Sequence, residues 1–203
     1  MTPTDHYFSD APEKASEPFD ISVTIGERTL TMTSDAGVFS KLHADPGSIL
    51  LLRRAKLPAE GDILDLGCGY GLIGLVAAMD RPAARVVMVD VNPRATALAR
   101  HNCDRYQLGN VEVLTGDARR VLGERRFDVV LCNPPYRAGK ELTMSLLQDA
   151  ASRLRPGGTL WIVGRTKQGI KTLAKDLAPL FDGVETVDIT GGYRVLVCTA
   201  AGG

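Results

Sequence analysis

The sequence predicts an α/β fold: a mostly parallel sheet covered on both faces, closed by an antiparallel C-terminal hairpin and preceded by an N-terminal β-hairpin. Three observations carry this reading. From Asp62 onward, short β-branched runs alternate with amphipathic helical runs, an order that builds βαβ units with right-handed crossovers. The last two strand-like runs are joined by Gly191-Gly192 alone, a turn so short that it permits only antiparallel pairing. Near the N-terminus, apolar and polar residues alternate on either side of Gly26-Glu27, the period of a half-buried hairpin.

Taken in order, residues 1–20 lack periodicity and carry Pro3, Pro12 and Pro18; they read as a flexible arm, partly docked through Tyr7 and Phe8. Phe19, Ile21, Val23 and Ile25, then Leu30 and Met32, mark the hairpin, placed over 21–33. Asp35 to Ala44 reads as a loop. Asp45 suits a helix N-cap, with Pro46 at the first helical position; this helix runs through Leu50, Leu51 and Leu52 and stops before Pro58. Strands follow at Asp62–Leu66, Arg85–Asp90, Val111–Thr115, Phe127–Cys132 and Thr159–Val163, and helices at Gly71–Asp80, Pro93–Tyr106, Lys140–Arg153 and Gly169–Leu180. Val184–Ile189 and Tyr193–Thr199 form the closing hairpin. There is no internal repeat, no low-complexity tract and no boundary between two enzyme-sized units, so residues 21–203 are expected to form one domain.

The 203 residues, 44% hydrophobic and 24% charged, suffice for a sizeable core: folding at this length buries roughly 70% of the unfolded surface. Pervasive disorder, collagen and coiled coil are excluded. Twenty-four basic and 24 acidic residues cancel, so no strong overall positive field holds a polyanion, although local basic patches remain possible. No run is apolar over the roughly 20 residues needed to span a membrane, and Met1 to Asp20 lacks the apolar stretch of a signal peptide; the expectation is a cytoplasmic protein without membrane partners. Cys68, Cys103, Cys132 and Cys198 form no C-x-x-C pair and read as small apolar residues in a reducing compartment. His6, His43 and His101 have no ligand-like spacing, and no metal is expected.

The strongest local signal is Ile63-Leu-Asp-Leu-Gly-Cys-Gly-Tyr-Gly-Leu-Ile-Gly74. A strand runs into a glycine loop and then a helix. Gly67, Gly69 and Gly71 remove side chains where a ligand must approach the backbone, and the helix start supplies free N–H groups. The next strand ends at Asp90, 90 − 69 = 21 residues after Gly69, the distance at which a carboxylate accepts from ribose hydroxyls. Gly69 to Gly74 also matches G-x-G-x-x-G, the dinucleotide fingerprint. Asp65, just before the glycines, argues against a diphosphate by charge and for a ligand bearing an ammonium group, such as S-adenosylmethionine. The plain alternative is a tight strand–helix turn. Asp117, after Val111–Thr115, sits where it can accept from an adenine amino group or cap the short segment Ala118–Leu122, or both.

Asn133-Pro134-Pro135-Tyr136 follows the Phe127–Cys132 strand. The prolines stiffen the loop and remove N–H donors. The Asn133 side chain and a prolyl carbonyl can then both accept from one amine, turning its lone pair toward an electrophilic methyl group, while Tyr136 offers a stacking face. No strong general base is needed, because the proton can leave after the methyl arrives.

With these motifs the chain resembles the class I S-adenosylmethionine-dependent methyltransferases, and within them the methyltransferase small domain family, which includes ribosomal RNA guanine-N2 methyltransferases. The matching residues are Gly37-Val38-Phe39-Ser40, Asp45-Pro46-Gly47-Ser48, Asp65 to Gly71, Asp90 and Asn133 to Tyr136, within a resemblance that covers nearly everything from Thr24 to Thr199. It implies a Rossmann-like core over 46–203, with a seven-stranded sheet whose last strand is antiparallel. It implies S-adenosyl-L-methionine bound by Phe39, Asp65, Gly67, Cys68, Gly69, Gly71, Asp90, Val91, Asp117, Ala118 and Asn133, with Ser40 also over the cofactor. Asn133, Pro134 and Tyr136 are then the catalytic set. The expected acceptor is the 2-amino group of a guanine in ribosomal RNA or a ribosomal subunit. The alternatives are a release-factor glutamine (N5), whose enzymes carry a helical N-terminal domain rather than a hairpin, adenine N6 of RNA, and a nucleotide-binding module without activity. The second, degenerate domain of some family members is not expected here. Arg137 and Lys140, beside the Asn-Pro-Pro-Tyr loop, are placed to touch phosphates; Arg119, Arg120, Arg125, Arg126, Arg165, Lys167, Lys171 and Lys175 read as solvated faces.

Overall fold

A computed structural model describes residues 17–35 and 44–203. Most of the N-terminal arm, and Gly37, Val38, Phe39, Ser40 and His43, lie outside the described residues. The elements run β1 (Phe19–Ile25), β2 (Arg28–Ser34), α1 (Pro46–Arg54), β3 (Glu60–Leu66), α2 (Leu72–Asp80), β4 (Ala83–Asp90), α3 (Pro93–Arg105), β5 (Val111–Thr115), α4 (Ala118–Val121), β6 (Phe127–Cys132), α5 (Lys140–Ser152), β7 (Leu154–Arg165), α6 (Ile170–Leu177), β8 (Gly183–Thr190) and β9 (Tyr193–Thr199). β1 and β2 pair as a separate antiparallel hairpin, and the main sheet has the order β5-β4-β3-β6-β7-β9-β8. β3 to β7 are mutually parallel, and β9 lies antiparallel between β7 and β8. This is the predicted architecture.

The strands read as nearly continuous apolar runs because both faces are covered. Ile63, Val86, Met88, Val129, Leu131, Trp161 and Val195 pack under α1, α2, α3 and the hairpin. Their neighbours Leu64, Leu66, Val87, Val89, Val130, Cys132 and Leu160 pack under α5 and α6, through Leu147, Leu173 and Leu177. The closing turn has positive φ at both Gly191 and Gly192, the backbone of a type I′ hairpin turn. No helix among the described residues is long and apolar enough to cross a membrane.

Several boundaries differ from the sequence reading by a residue or two, such as β3 from Glu60 and β4 from Ala83, and three differences have a plain physical cause. β7 starts at Leu154 rather than Thr159: Leu154 pairs with Phe127, the register shifts across the Pro156-Gly157-Gly158 segment, and pairing resumes at Thr159. The predicted helix Gly169–Leu180 breaks into α6 and a 3-10 turn over Ala178–Leu180, since Pro179 has no N–H to continue the ladder. α2 starts after Gly71, which sits at φ 92° as its N-cap and approaches Ala99 of α3 so closely that an added Cβ would lie 3.0 Å from the Ala99 Cβ.

The hairpin is fastened to the sheet by Asn102 of α3, which is inaccessible to solvent. Its Oδ1 accepts from Thr33 N at 2.8 Å, and its Nδ2 donates to Thr33 O and Tyr70 O, both at 2.9 Å. One amide thus joins β2, α3 and the glycine loop. Asn102→Leu would leave three buried main-chain groups without partners and should lower stability by at least about 2 kcal/mol, read as a fall in the urea midpoint. A midpoint within error of wild type would show that the hairpin is held elsewhere.

Candidate active site

The chain leaves β3, β4, β5 and β6 at one edge of the sheet, because Leu66 pairs with both Val89 and Cys132 and Asp90 pairs with Thr115. The strand order reverses between β3 and β6, which opens a crevice at their C-terminal ends. Gly67, Val91, Asp117 and Asn133 therefore surround one opening.

The glycine loop is built on main-chain bonds. Gly67 N and Cys68 N both donate to Val89 O, at 2.9 and 3.0 Å, and Gly71 N donates to Cys68 O at 2.9 Å. Gly67 and Gly69 have φ of 75° and 56°, and a Cβ added to either would meet nothing within 4 Å, so their outer side is open. The Cys68 side chain turns inward and burial pushes its thiol well up; Cys68 contributes backbone to the crevice. All four cysteines are buried and free.

Asp90 organises the loop. Its Oδ2 accepts from Gly69 N and its Oδ1 from Asn92 N, both at 2.9 Å. Burial raises its carboxyl, opposed by these N–H groups and that of Val91. Each oxygen keeps a second lone pair, enough for the two hydroxyls of a ribose. Asp117 is both a cap and a rim residue: it accepts from Arg119 N at 3.0 Å and pairs with the Arg119 guanidinium at 2.6 Å, which holds its carboxyl below the usual range. Ala118 is buried beside it.

Asp65 lies elsewhere than its motif position suggests. Strand alternation points it away from Leu64 and Leu66, under α2, where it is wholly inaccessible. Its Oδ2 accepts from Gly74 N at 2.8 Å, and Oδ1 has no partner. Gly74 is required there, since an added Cβ would lie 2.6 Å from Met88 Cε. Asp65 thus braces the loop and the helix start from below.

At the end of β6, the Asn133 Nδ2 donates to Asp45 Oδ2 and to Ser48 Oγ, both at 3.0 Å. Pro134 is buried and its carbonyl accepts from Tyr136 N at 2.8 Å, keeping one lone pair for another donor. The Tyr136 hydroxyl donates to Val163 O at 3.1 Å in a niche that exists because residue 164 is glycine: a Cβ there would lie 2.1 Å from that hydroxyl. This pins the ring against β7 and leaves it half-buried at the crevice. Asp45, Ser48 and Tyr193, which gather behind Asn133, were not read as site residues from sequence; the cap signal at Asp45 and the family match over Asp45-Pro46-Gly47-Ser48 were the traces of the first two, and Tyr193 left none.

The model of the methyltransferase small domain family matches residues 29–197. The chain is 38% identical to the uncharacterized protein YbxB of Bacillus subtilis over 95% of this chain and 97% of that one. It is 32% identical to ribosomal RNA large subunit methyltransferase G of Klebsiella pneumoniae, over 78% of this chain and 44% of the relative. Among solved structures, the 16S rRNA N2 G1207 methyltransferase RsmC of T. thermophilus, in complex with AdoMet and guanosine, superposes with a TM-score of 0.79 at 28% identity, covering 94% of this chain and 52% of the other. The chain thus spans nearly all of YbxB and about half the length of these ribosomal RNA methyltransferases.

Burial pushes the Asp65 carboxyl up to about 7, against the lowering effect of Gly74 N–H. A carboxyl raised on folding takes up a proton in the folded state, so its contribution to stability is complete below about pH 4 and is lost as pH rises toward 7. Asp65→Asn keeps an acceptor for Gly74 and removes the titration. The stability difference, variant minus wild type, should grow in the variant's favour between pH 4 and 7 by on the order of 1 kcal/mol per pH unit, measured by urea denaturation. A difference independent of pH would show that Asp65 is ionised throughout.

Proposed function

Since the chain belongs to the methyltransferase small domain family, we propose that it is an S-adenosylmethionine-dependent N-methyltransferase acting on the 2-amino group of a guanine in ribosomal RNA. The observation that carries this is the orientation of Asn133: both Nδ2 protons are engaged by Asp45 and Ser48, so Oδ1 is the atom left for an incoming amine. RNA as substrate class, and guanine N2 as the position, are supported by the likeness to RsmC over 94% of the chain.

The residues present fit the cofactor. The open side of Gly67 and Gly69 admits a ligand against the backbone, the Asp90 oxygens suit ribose hydroxyls, and Asp117 and Ala118 border the place for a base. Asp90 lends the crevice negative charge, which favours a cationic ligand over a diphosphate, whereas Asp65 is closed off beneath α2. When bound, S-adenosylmethionine supplies a methyl group on a cationic sulfur. The chain supplies the positioning: Asn133 Oδ1 and Pro134 O accept the two N–H bonds of the target amine, and the half-buried Tyr136 ring supports the base. Such positioning can remove on the order of 7–11 kcal/mol from a barrier at best. A neutral aromatic amine needs no base on the enzyme, because methylation itself makes its proton acidic and water takes it.

Two substitutions separate the roles. Asp90→Ala should weaken S-adenosylmethionine binding by roughly 10- to 150-fold, the equivalent of a hydrogen bond to a charged group at about 1.5–3 kcal/mol; an unchanged Kd by calorimetry in a folded variant would remove Asp90 from the site. Asn133→Ala should hold that Kd within a few-fold while single-turnover methyl transfer collapses, and near-normal turnover would make the Asn-Pro-Pro-Tyr loop structural. The substrate is tested by radiolabelled methyl transfer to isolated ribosomal subunits, naked rRNA and a release factor from cells lacking the protein. Label at guanine N2 is expected; label in the release factor alone would replace the RNA reading with glutamine methylation, and label at adenine N6 would keep RNA and overturn guanine.

A further inference from the structure

If Asn133 accepts from the target amine, its side-chain amide must be held one way round. Turned over, it would present N–H donors to an amine and repel it. The two groups facing Nδ2 settle the orientation. Asp45 Oδ2, 3.0 Å away, belongs to a carboxylate, which accepts and does not donate, so it admits only the N–H edge. Ser48 Oγ, also 3.0 Å away, takes the second proton. Among the described residues, none donates to Asn133 Oδ1.

The carboxylate is itself fixed. Asp45 caps α1, with Oδ2 accepting from Ser48 N at 2.9 Å. Its Oδ1 accepts from the Tyr193 hydroxyl of β9 at 3.3 Å. Arg165 at the end of β7 donates to that hydroxyl at 3.0 Å and lies over the Tyr193 ring at 4.8 Å. Gly47 leaves room for the assembly: a Cβ there would be 2.7 Å from both Asp45 Oδ2 and Tyr193 Cε1. A helix cap needs one carboxylate oxygen; this arrangement spends both, and reaches across the sheet edge to a loop 88 residues away.

The chemistry gives the charge a use. In methyl transfer the nitrogen lone pair forms the new N–C bond, and the S–C bonding pair stays on the departing thioether sulfur. The nitrogen becomes cationic until its proton passes to water. Positive charge therefore grows on the N–H group that faces Oδ1. A carboxylate bonded to Nδ2–H draws on the amide and enriches its oxygen, since linked hydrogen bonds polarise one another. The benefit is larger in the transition state than in the ground state, which is the condition for catalysis.

We propose that Asp45 and Ser48 are positioning residues that clamp the Asn133 amide with its oxygen toward the acceptor amine, and that the Asp45 charge is relayed through this amide to the nitrogen as it becomes cationic. The proposal rests on the N-methyl transfer reading above. Asp45→Asn keeps a good helix cap and, because cap and clamp share Oδ2, keeps an acceptor for Asn133 while removing the charge; Asp45→Ser keeps the cap but is too short to hold Asn133 as well, and guards against a misfolded first variant. In protein labelled with 15N-asparagine, the Asn133 side-chain NH2 signals, assigned by their loss in Asn133→Ala, should exchange slowly with solvent in the wild type and markedly faster in Asp45→Ser. Single-turnover methyl transfer should fall roughly 10- to 100-fold with the cofactor Kd within twofold, and Asp45→Asn should cost nothing further in an Asn133→Ala background. Equal NH2 exchange in wild type and Asp45→Ser would overturn the clamp, and rate losses that multiply in the Asp45→Asn, Asn133→Ala double variant would overturn the relay. Slow NH2 exchange in a wild-type protein that methylates no nitrogen would overturn the transfer reading alone and leave the clamp standing.

Discussion

The parallel register of β3 with β4 and β6 is the constraint on which the site depends. Leu66, Val89 and Cys132 lie side by side, so the glycine loop, the Asp90 turn and the Asn133 loop emerge at one level. Both faces of these strands are buried, and a slip of one residue would exchange every side chain between two different cores. Met88 would leave the α2 face and Asp65 would lose Gly74. The hydrophobic pattern that folds the sheet therefore also sets the height at which each polar residue of the crevice appears.

Four aspartates are then used in the same way. Asp45 accepts from Ser48 N, Asp65 from Gly74 N, Asp90 from Gly69 N and Asn92 N, and Asp117 from Arg119 N. Each satisfies main-chain donors at the start of a helix or in a loop. What remains after that differs. Asp90 keeps lone pairs toward the crevice, Asp117 turns its remainder on the Arg119 guanidinium at the rim, Asp45 turns its remainder on Asn133 and Tyr193, and Asp65 is closed off. Capping and ligand-directed roles are thus not alternatives at these positions, because a carboxylate has about four acceptor sites and a cap uses one or two.

Local order made most of the fold readable. The βαβ alternation, the Gly191-Gly192 turn and the glycine loop are written in contiguous residues, and the strands fall close to where their apolar runs lie. The start of β7 was hidden because Pro156-Gly157-Gly158 reads as a break, whereas Leu154 pairs before it and Thr159 after it. Asp65 is instructive in another way: its place between Leu64 and Leu66 points it at the α2 face, and the alternation predicts its burial better than the motif does. The contacts behind Asn133 were illegible for a different reason. They join residues 88 and 148 positions apart, through the docking of α1 on β7 and β9, and no local pattern records that. Asn102 likewise looks like a solvated helix residue until the hairpin is laid against it.

In the proposed reaction the acceptor amine is held by Asn133 Oδ1 beside the glycine loop. A crystal structure of the protein with S-adenosylhomocysteine and guanosine measures this most directly. The guanine 2-amino nitrogen should lie within hydrogen-bond reach of Asn133 Oδ1 and Pro134 O, about 2.7–3.2 Å, with the ribose of the cofactor product on Asp90. Guanosine seated with its 2-amino group away from Asn133, or an Asn133 side chain that has left Asp45 and Ser48 to present its NH2 to the ligand, would contradict it.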